Sequence, residues 1–240
     1  MLNSMLLAGG FFDNVSTKLY NDFIAKDRWM FLADGLVNTL KITVFALLIG
    51  ILIGFIVAVV RSTHQMTGKF KILNFIFGIY LTIIRGTPVV VQLLIINFIV
   101  FASYNNKILA GILCFGINSG AYVAEIFRSG IMSIDKGQME AGRSLGFNYF
   151  QTMLLIIMPQ AVKNVLPALG NEMIVLVKET AVSGYIAIQD LTKGGDIIRS
   201  QTYDAFFPLF GVAAIYLVIT LLMSTAIGKL ERRLRNSDHW

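Results

Sequence analysis

The sequence predicts an all-α, multi-pass membrane protein with five transmembrane helices. Composition leads there first. Of the 240 residues, 56% are AVILMFWYC and only 14% are charged, against roughly 25% charged in an ordinary soluble domain. Mean hydropathy is +0.71. The second observation is that charge-free runs recur at the length a bilayer demands, about 20 apolar residues per helix. A soluble chain this apolar has too little polar surface to cover itself. Composition thus excludes a soluble enzyme, a disordered protein and a nucleic-acid binder. The net charge of +6 reads as a loop bias toward one side of a membrane, not as a phosphate-binding face. The single cysteine, Cys114, permits no intrachain disulfide. With His64 and His239 far apart, no protein metal site is expected.

The elements follow in chain order. Residues 1–12 lack the basic start of a signal peptide. Phe11, Phe12, Val15, Leu19, Phe23, Trp29 and Phe31 give a loose aromatic face, so residues 1–33 are expected on the outer interface. The first span, 36–60, is built on the charge-free run 42–60. The stretch 71–107 is broken only by Arg85 and is too long for one straight span. Thr87-Pro88 divides it, with Thr87 as N-cap and Pro88 at the first helical position. Residues 72–84 then lie along or dip into the inner interface, and 88–106 form the second span. The remaining spans are 108–131, 160–181 and 205–228. An odd number places the termini on opposite sides. Lys229, Arg232, Arg233 and Arg235 put the C-terminus in the cytoplasm and the N-terminus outside. Arg61, Lys69, Lys71, Arg128, Lys136 and Arg143 then fall inside, while the turn at Lys107 and the loop 182–204 fall outside. The membrane domain is expected over 34–232, with a cytoplasmic tail at 233–240.

Between spans three and four the chain reads DKGQMEAGRSLGFNYFQTMLLIIMP, residues 135–159. Glycines at 137, 142 and 146 divide it. Two short helices are expected, the second capped by Asn148 and ending before Pro159. Such a pair is a rigid knob; on residue types alone an ordinary amphipathic loop fits equally well. Span four carries Glu172, Lys178 and Glu179, and ionisable groups there cost about 2.5–3.5 kcal/mol each. Glu172 and Glu179 share a face, and Asn164, Asn171 and Lys178 repeat at the same interval beside them. Glu172 lies about 18 Å along the helix from Gln160, near mid-bilayer. No basic residue stands three or four positions from it, which favours a functional carboxylate that binds an ammonium or a cationic side chain. Lys178 and Glu179 read either as a structural ion pair or as substrate contacts. Asn118 and Ser119 of span three read either as interhelical hydrogen-bonding groups or as lining of a solute path. Glu125 and Arg128, three apart, read as a structural pair.

The block Glu140-Ala141-Gly142, then Gly146, Ile156 and Met158-Pro159, resembles the EAA loop of membrane subunits of type I ATP-binding-cassette importers. Gly142 stands where that pattern has its second alanine and Met158 where it has leucine. Further blocks are similar to the branch that takes up polar amino acids. They are Arg85-Gly86-Thr87-Pro88 with Gln92, Ala121 to Glu125 with Arg128, Leu166 to Glu172, and Lys178-Glu179-Thr180. The resemblance implies the permease fold of those importers, with Glu140, Ala141, Gly142, Gly146 and Pro159, within an EAA loop of about 137–159, coupling it to a cytoplasmic ATPase. It implies that span four lines the path, so Glu172, Asn171, Asn118, Ser119, Lys178 and Glu179 are the candidate substrate contacts. It also implies two ATPase subunits, a second permease copy or close relative, an extracellular solute-binding protein and a prokaryotic cell membrane. Arginine and glutamine are among the solutes to expect. The chain has no G-x-x-x-x-G-K-[ST] loop, so ATP and Mg are expected on the partner and no catalysis on this chain. An ion-driven secondary transporter would call for inverted repeats, which the sequence lacks. An intramembrane hydrolase using Ser119 would need a base at membrane depth.

Overall fold

The structure, a computed structural model, describes residues 13–104 and 106–236, with no side chains described for 235 and 236. Phe11, Phe12 and His239 lie outside the described residues. Among those described, the chain is helical and contains no strand.

Helix α1 (Trp29–Thr67) has 39 residues, about 58 Å at 1.5 Å per residue, which overreaches the roughly 30 Å hydrocarbon core at both ends. Gly68, at φ +71, stops it and returns its N–H to His64 O at 2.8 Å. Helices α2 (Lys71–Gly86) and α3 (Val89–Ile95, continued by a π turn, Ile96–Val100) follow. They meet at 107°. The bend falls at the expected division, Thr87-Pro88, but the second helix is shorter than the expected 88–106 and ends at Val100, so the two helices together make one bent pair. Thr87 does not cap α3. It closes α2, donating its hydroxyl back to Ile83 O at 2.9 Å, and Pro88 stands one residue before the helix.

Helix α4 (Lys107–Met132) starts at Asn106, whose side chain accepts the Leu109 N–H at 3.1 Å. Helices α5 (Lys136–Ser144) and α6 (Tyr149–Thr152) form the knob, joined by a turn at Gly146. The expected stop before Pro159 does not occur. Helix α6 runs through a π turn, Met153–Ile157, into α7 (Met158–Glu179). The wider turn suits a proline that has no N–H to give and whose ring crowds the preceding turn. Among the described residues four helical stretches are long and apolar enough to span: Trp29–Thr67, Lys107–Met132, Tyr149–Ile186 and Phe206–Leu234. The bent pair α2–α3 makes five.

Helices α1 and α4 pack backbone to backbone through small residues. A Cβ on Gly54 would stand 2.6 Å from a Val123 methyl, and one on Gly116 would stand 2.8 Å from Ile49. Such close approach is how apolar helices associate where lipid is as greasy as leucine. Around this seam Ile42, Ala46, Leu93, Cys114, Phe115, Leu176, Ile186 and Ile188 form the largest buried cluster among the described residues. Leu52 and Leu222, by contrast, are over 60% exposed, as a lipid-facing surface requires.

The stretch expected as an outer loop, 182–204, is ordered. A 3-10 turn, Thr180–Ile186, leads to helix α8 (Leu191–Thr202), which lies on α1; helix α9 (Phe206–Asn236) is the last described element. Thr39 Oγ accepts the Leu191 N–H at 3.1 Å. A Cβ on Gly194 would come within 2.3 Å of Phe31 O, so only glycine permits this approach. Lys18 pairs with Asp204 at 3.2 Å and ties the N-terminal segment to the same face.

Asp190 caps α8, accepting the Lys193 N–H at 2.6 Å. Burial pushes its carboxyl up to about 6, against the pull of that amide. The free value is ~3.9, so the folded state holds the proton more tightly between about pH 4 and 6. Stability is lost as pH rises through that window, and the loss is complete above it. Asp190→Asn keeps the cap without the titration. Its thermal midpoint in detergent should be the higher of the two at pH 7.5, with a flatter profile from pH 4 to 6. Parallel profiles for the two proteins would refute this account.

Candidate translocation site and coupling knob

Helices α4 and α7 meet at Glu172. The carboxylate is 8% exposed and accepts the Ser119 hydroxyl at 2.7 Å. Among the described residues no lysine or arginine lies within 4 Å of it. A carboxylate has acceptor sites beyond the one Ser119 fills, so Glu172 retains capacity for a cation. Glu179 lies two turns along the same face and is half-buried. Lys178 and Glu179 form no ion pair among the described residues. Asn164, Asn171 and Lys178 are all exposed. Asn164 donates to Ser133 Oγ at 3.0 Å. A polar stripe open to lipid at membrane depth is costly, so this face of α7 is one that water or a second subunit covers.

Asn118 does not join Ser119 and Glu172. It is buried and donates to Gln92 Oε1 at 3.1 Å, so of its two readings the interhelical hydrogen bond is what the structure holds. Gln92 was assigned no role from the sequence. Its amide also reaches Ile84 O at 2.8 Å, Thr87 O at 3.0 Å and Thr87 Oγ at 2.9 Å. One side chain thus holds the α2–α3 bend and fastens it to α4. The signal was present: Gln92 is the one polar residue in the run 88–96. Glu125 and Arg128 form the expected pair, at 3.0 Å and 2.5 Å.

In the knob, Asn148 and Gln151 make a reciprocal capping box, each side chain bonding the other's backbone N–H at 2.9 Å. Gly146 adopts φ +88 with open space around it. Gly142 is buried, and a Cβ there would stand 2.5 Å from the Thr152 methyl. That contact presses α5 onto α6 and accounts for glycine where alanine was expected. Met139 packs against the Ile131, Ile157 and Ala161 cluster at the feet of α4 and α7. Glu140, Ala141 and Pro159 are exposed, as are Leu145 and Phe150, at 76% and 70%. The knob is fixed to the membrane helices and presents outward an apolar surface that also carries Glu140, Lys136 and Arg143.

Residues 41–236 match the family described as the inner membrane component of binding-protein-dependent transport systems. The chain belongs to that family. The chain is similar to the Arginine transport system permease protein ArtQ of Bacillus subtilis strain 168. It is 36% identical, with 87% of this chain and 94% of that protein aligned. The Probable glutamine ABC transporter permease protein GlnM of the same organism is 39% identical over 90% of this chain and 99% of its own. One chain of the crystal structure of an amino acid ABC transporter with histidines superposes with a TM-score of 0.80. It is 43% identical, covering 88% of this chain and 98% of that one. As an inner membrane component with the permease fold of type I ATP-binding-cassette importers, the chain is a multi-pass membrane protein.

Proposed function

We propose that this chain is the permease subunit of an ATP-driven importer of polar amino acids, with Glu172 as the cation-binding group of the path. The observation that carries the reading is the Glu172 carboxylate, near mid-membrane and held by Ser119, beside the uncovered stripe of Asn171 and Lys178. A second permease copy or close relative covers that stripe and closes the path around it. Cationic or amide amino acids, such as arginine and glutamine, fit a carboxylate flanked by an asparagine. The relatives named for arginine and glutamine transport support this substrate class.

In the same reading a solute-binding protein delivers the solute at the outer face. Two ATPase subunits bind the knob at Glu140, Ala141 and the start of α7 at Pro159, while Gly142 and Gly146 set the knob's shape. ATP and Mg are held on those partners. The N-terminus is outside a prokaryotic cell membrane and the C-terminus is cytoplasmic, as the arginines after Gly228 suggest.

The test is uptake into proteoliposomes that carry the permease with its ATPase. Labelled arginine or glutamine should accumulate only with ATP on the knob side and binding protein on the other. Accumulation driven by an ion gradient without ATP would overturn the reading.

A further inference from the structure

We infer that the groove between α1, α2 and α4, on the knob side of the membrane, is a binding site for the headgroup of an anionic phospholipid. The groove encloses about 990 Å³ and continues into a second of about 470 Å³, the two sharing Arg61 and Asn74. Three guanidinium groups line it, Arg61, Arg85 and Arg128, against one carboxylate, Glu125. Arg128 is committed to Glu125, at 2.5 Å and 3.0 Å. Arg85 lies over the Tyr122 ring, 5.4 Å from its centre. Among the described residues, neither Arg61 nor Arg85 has a carboxylate within 4 Å. The groove therefore holds two surplus cations with their forked donors unspent, and a phosphodiester fits them bidentately.

Depth agrees. The charge-free run 42–60 of α1 is 19 residues, about 28 Å, and so matches the hydrocarbon core. Arg61 is the first charge beyond it and stands at headgroup level. The other wall is apolar. Phe75, Ile79 and Ile83 of α2 line the groove and are 68%, 46% and 55% exposed. A cationic floor beside an apolar wall matches a phospholipid, headgroup and acyl chain together. It matches neither half alone. Basic pockets between membrane helices on the cytoplasmic side recognise such headgroups.

The test is a lipid titration of the detergent-purified permease–ATPase complex, read by native mass spectrometry with phosphatidylglycerol and phosphatidylcholine. The parent should retain phosphatidylglycerol in preference to phosphatidylcholine. The double variant R61Q/R85Q should bind phosphatidylglycerol roughly twenty-five-fold more weakly, about fivefold for each guanidinium removed. The double variant K193Q/R199Q, an equal charge loss on α8 at the opposite face, should bind as the parent does. If R61Q/R85Q does not elute as a folded complex, R61Q alone should show about a fivefold loss. Unchanged affinity in the Arg61 variants, equal binding of the two lipids, or an equal loss in the α8 variant would each overturn the inference.

Discussion

Gly146→Pro should leave membrane insertion intact and lower ATP-driven uptake by about tenfold or more, the factor that about 1.4 kcal/mol of lost alignment produces. Gly146 sits at φ +88 and donates its N–H to Arg143 O at 3.0 Å. Proline fixes φ near −65° and has no N–H. Space is open around the position, so the substitution acts on the path of the chain and not through a clash. It redirects α5 relative to α6, and the outward face built on Glu140, Leu145 and Phe150 no longer has one shape. Gly146→Asn is the control, because asparagine tolerates the left-handed region; it should retain most of the uptake. Uptake is measured in proteoliposomes beside ATP hydrolysis. Full coupling in the proline variant would show that the knob does not transmit the stroke.

Glu172→Gln should reduce transport of a cationic amino acid by roughly tenfold. A hydrogen bond to a charged group contributes about 1.5–3 kcal/mol and a neutral one about 0.5–1.5. Glutamine keeps the shape, and its carbonyl oxygen still accepts the Ser119 hydroxyl, so the contact between α4 and α7 survives. Assembly with the ATPase and basal hydrolysis should stay close to the parent's. Competition between labelled arginine and glutamine reads the selectivity, and the cationic solute should lose more. A variant that transports every amino acid as the parent does would make Glu172 a structural residue. So would a variant that fails to assemble.

The readable parts of the sequence were those where one physical rule acted alone. Charge-free runs marked α1, α4 and α9 because nothing but the bilayer decides them. Glu172 stood out as a mid-span carboxylate with no basic residue three or four positions away, and the structure gives it the Ser119 hydroxyl as a donor. The knob was legible in its capping residue, Asn148. What failed involved two rules in competition. Thr87-Pro88 reads as a helix start, yet the Gln92 amide takes both the carbonyl and the hydroxyl of Thr87, and the cap is lost to the bend. Pro159 reads as a stop, but a π turn carries the helix through it. Helix α8 was missed because Gly194 and Gly195 make it look like a loop. Gly194 is there to let the helix touch the α1 backbone.

The run from α6 through α7 has a mechanical meaning. Tyr149, in the knob, and Glu172, expected near mid-membrane, belong to one continuous helical run about 35 Å long at 1.5 Å per residue. A tilt of about 10° at the foot of such a bar carries the carboxylate sideways by about 6 Å, the width of an amino acid side chain. The widened turn at Met153–Ile157 is its one change of gauge, and Pro167 lies inside its upper length. On the proposed reading, an ATPase bound at the knob would move Glu172 directly. The distance over which force must travel is the length of a single helix, with no relay of loops in between.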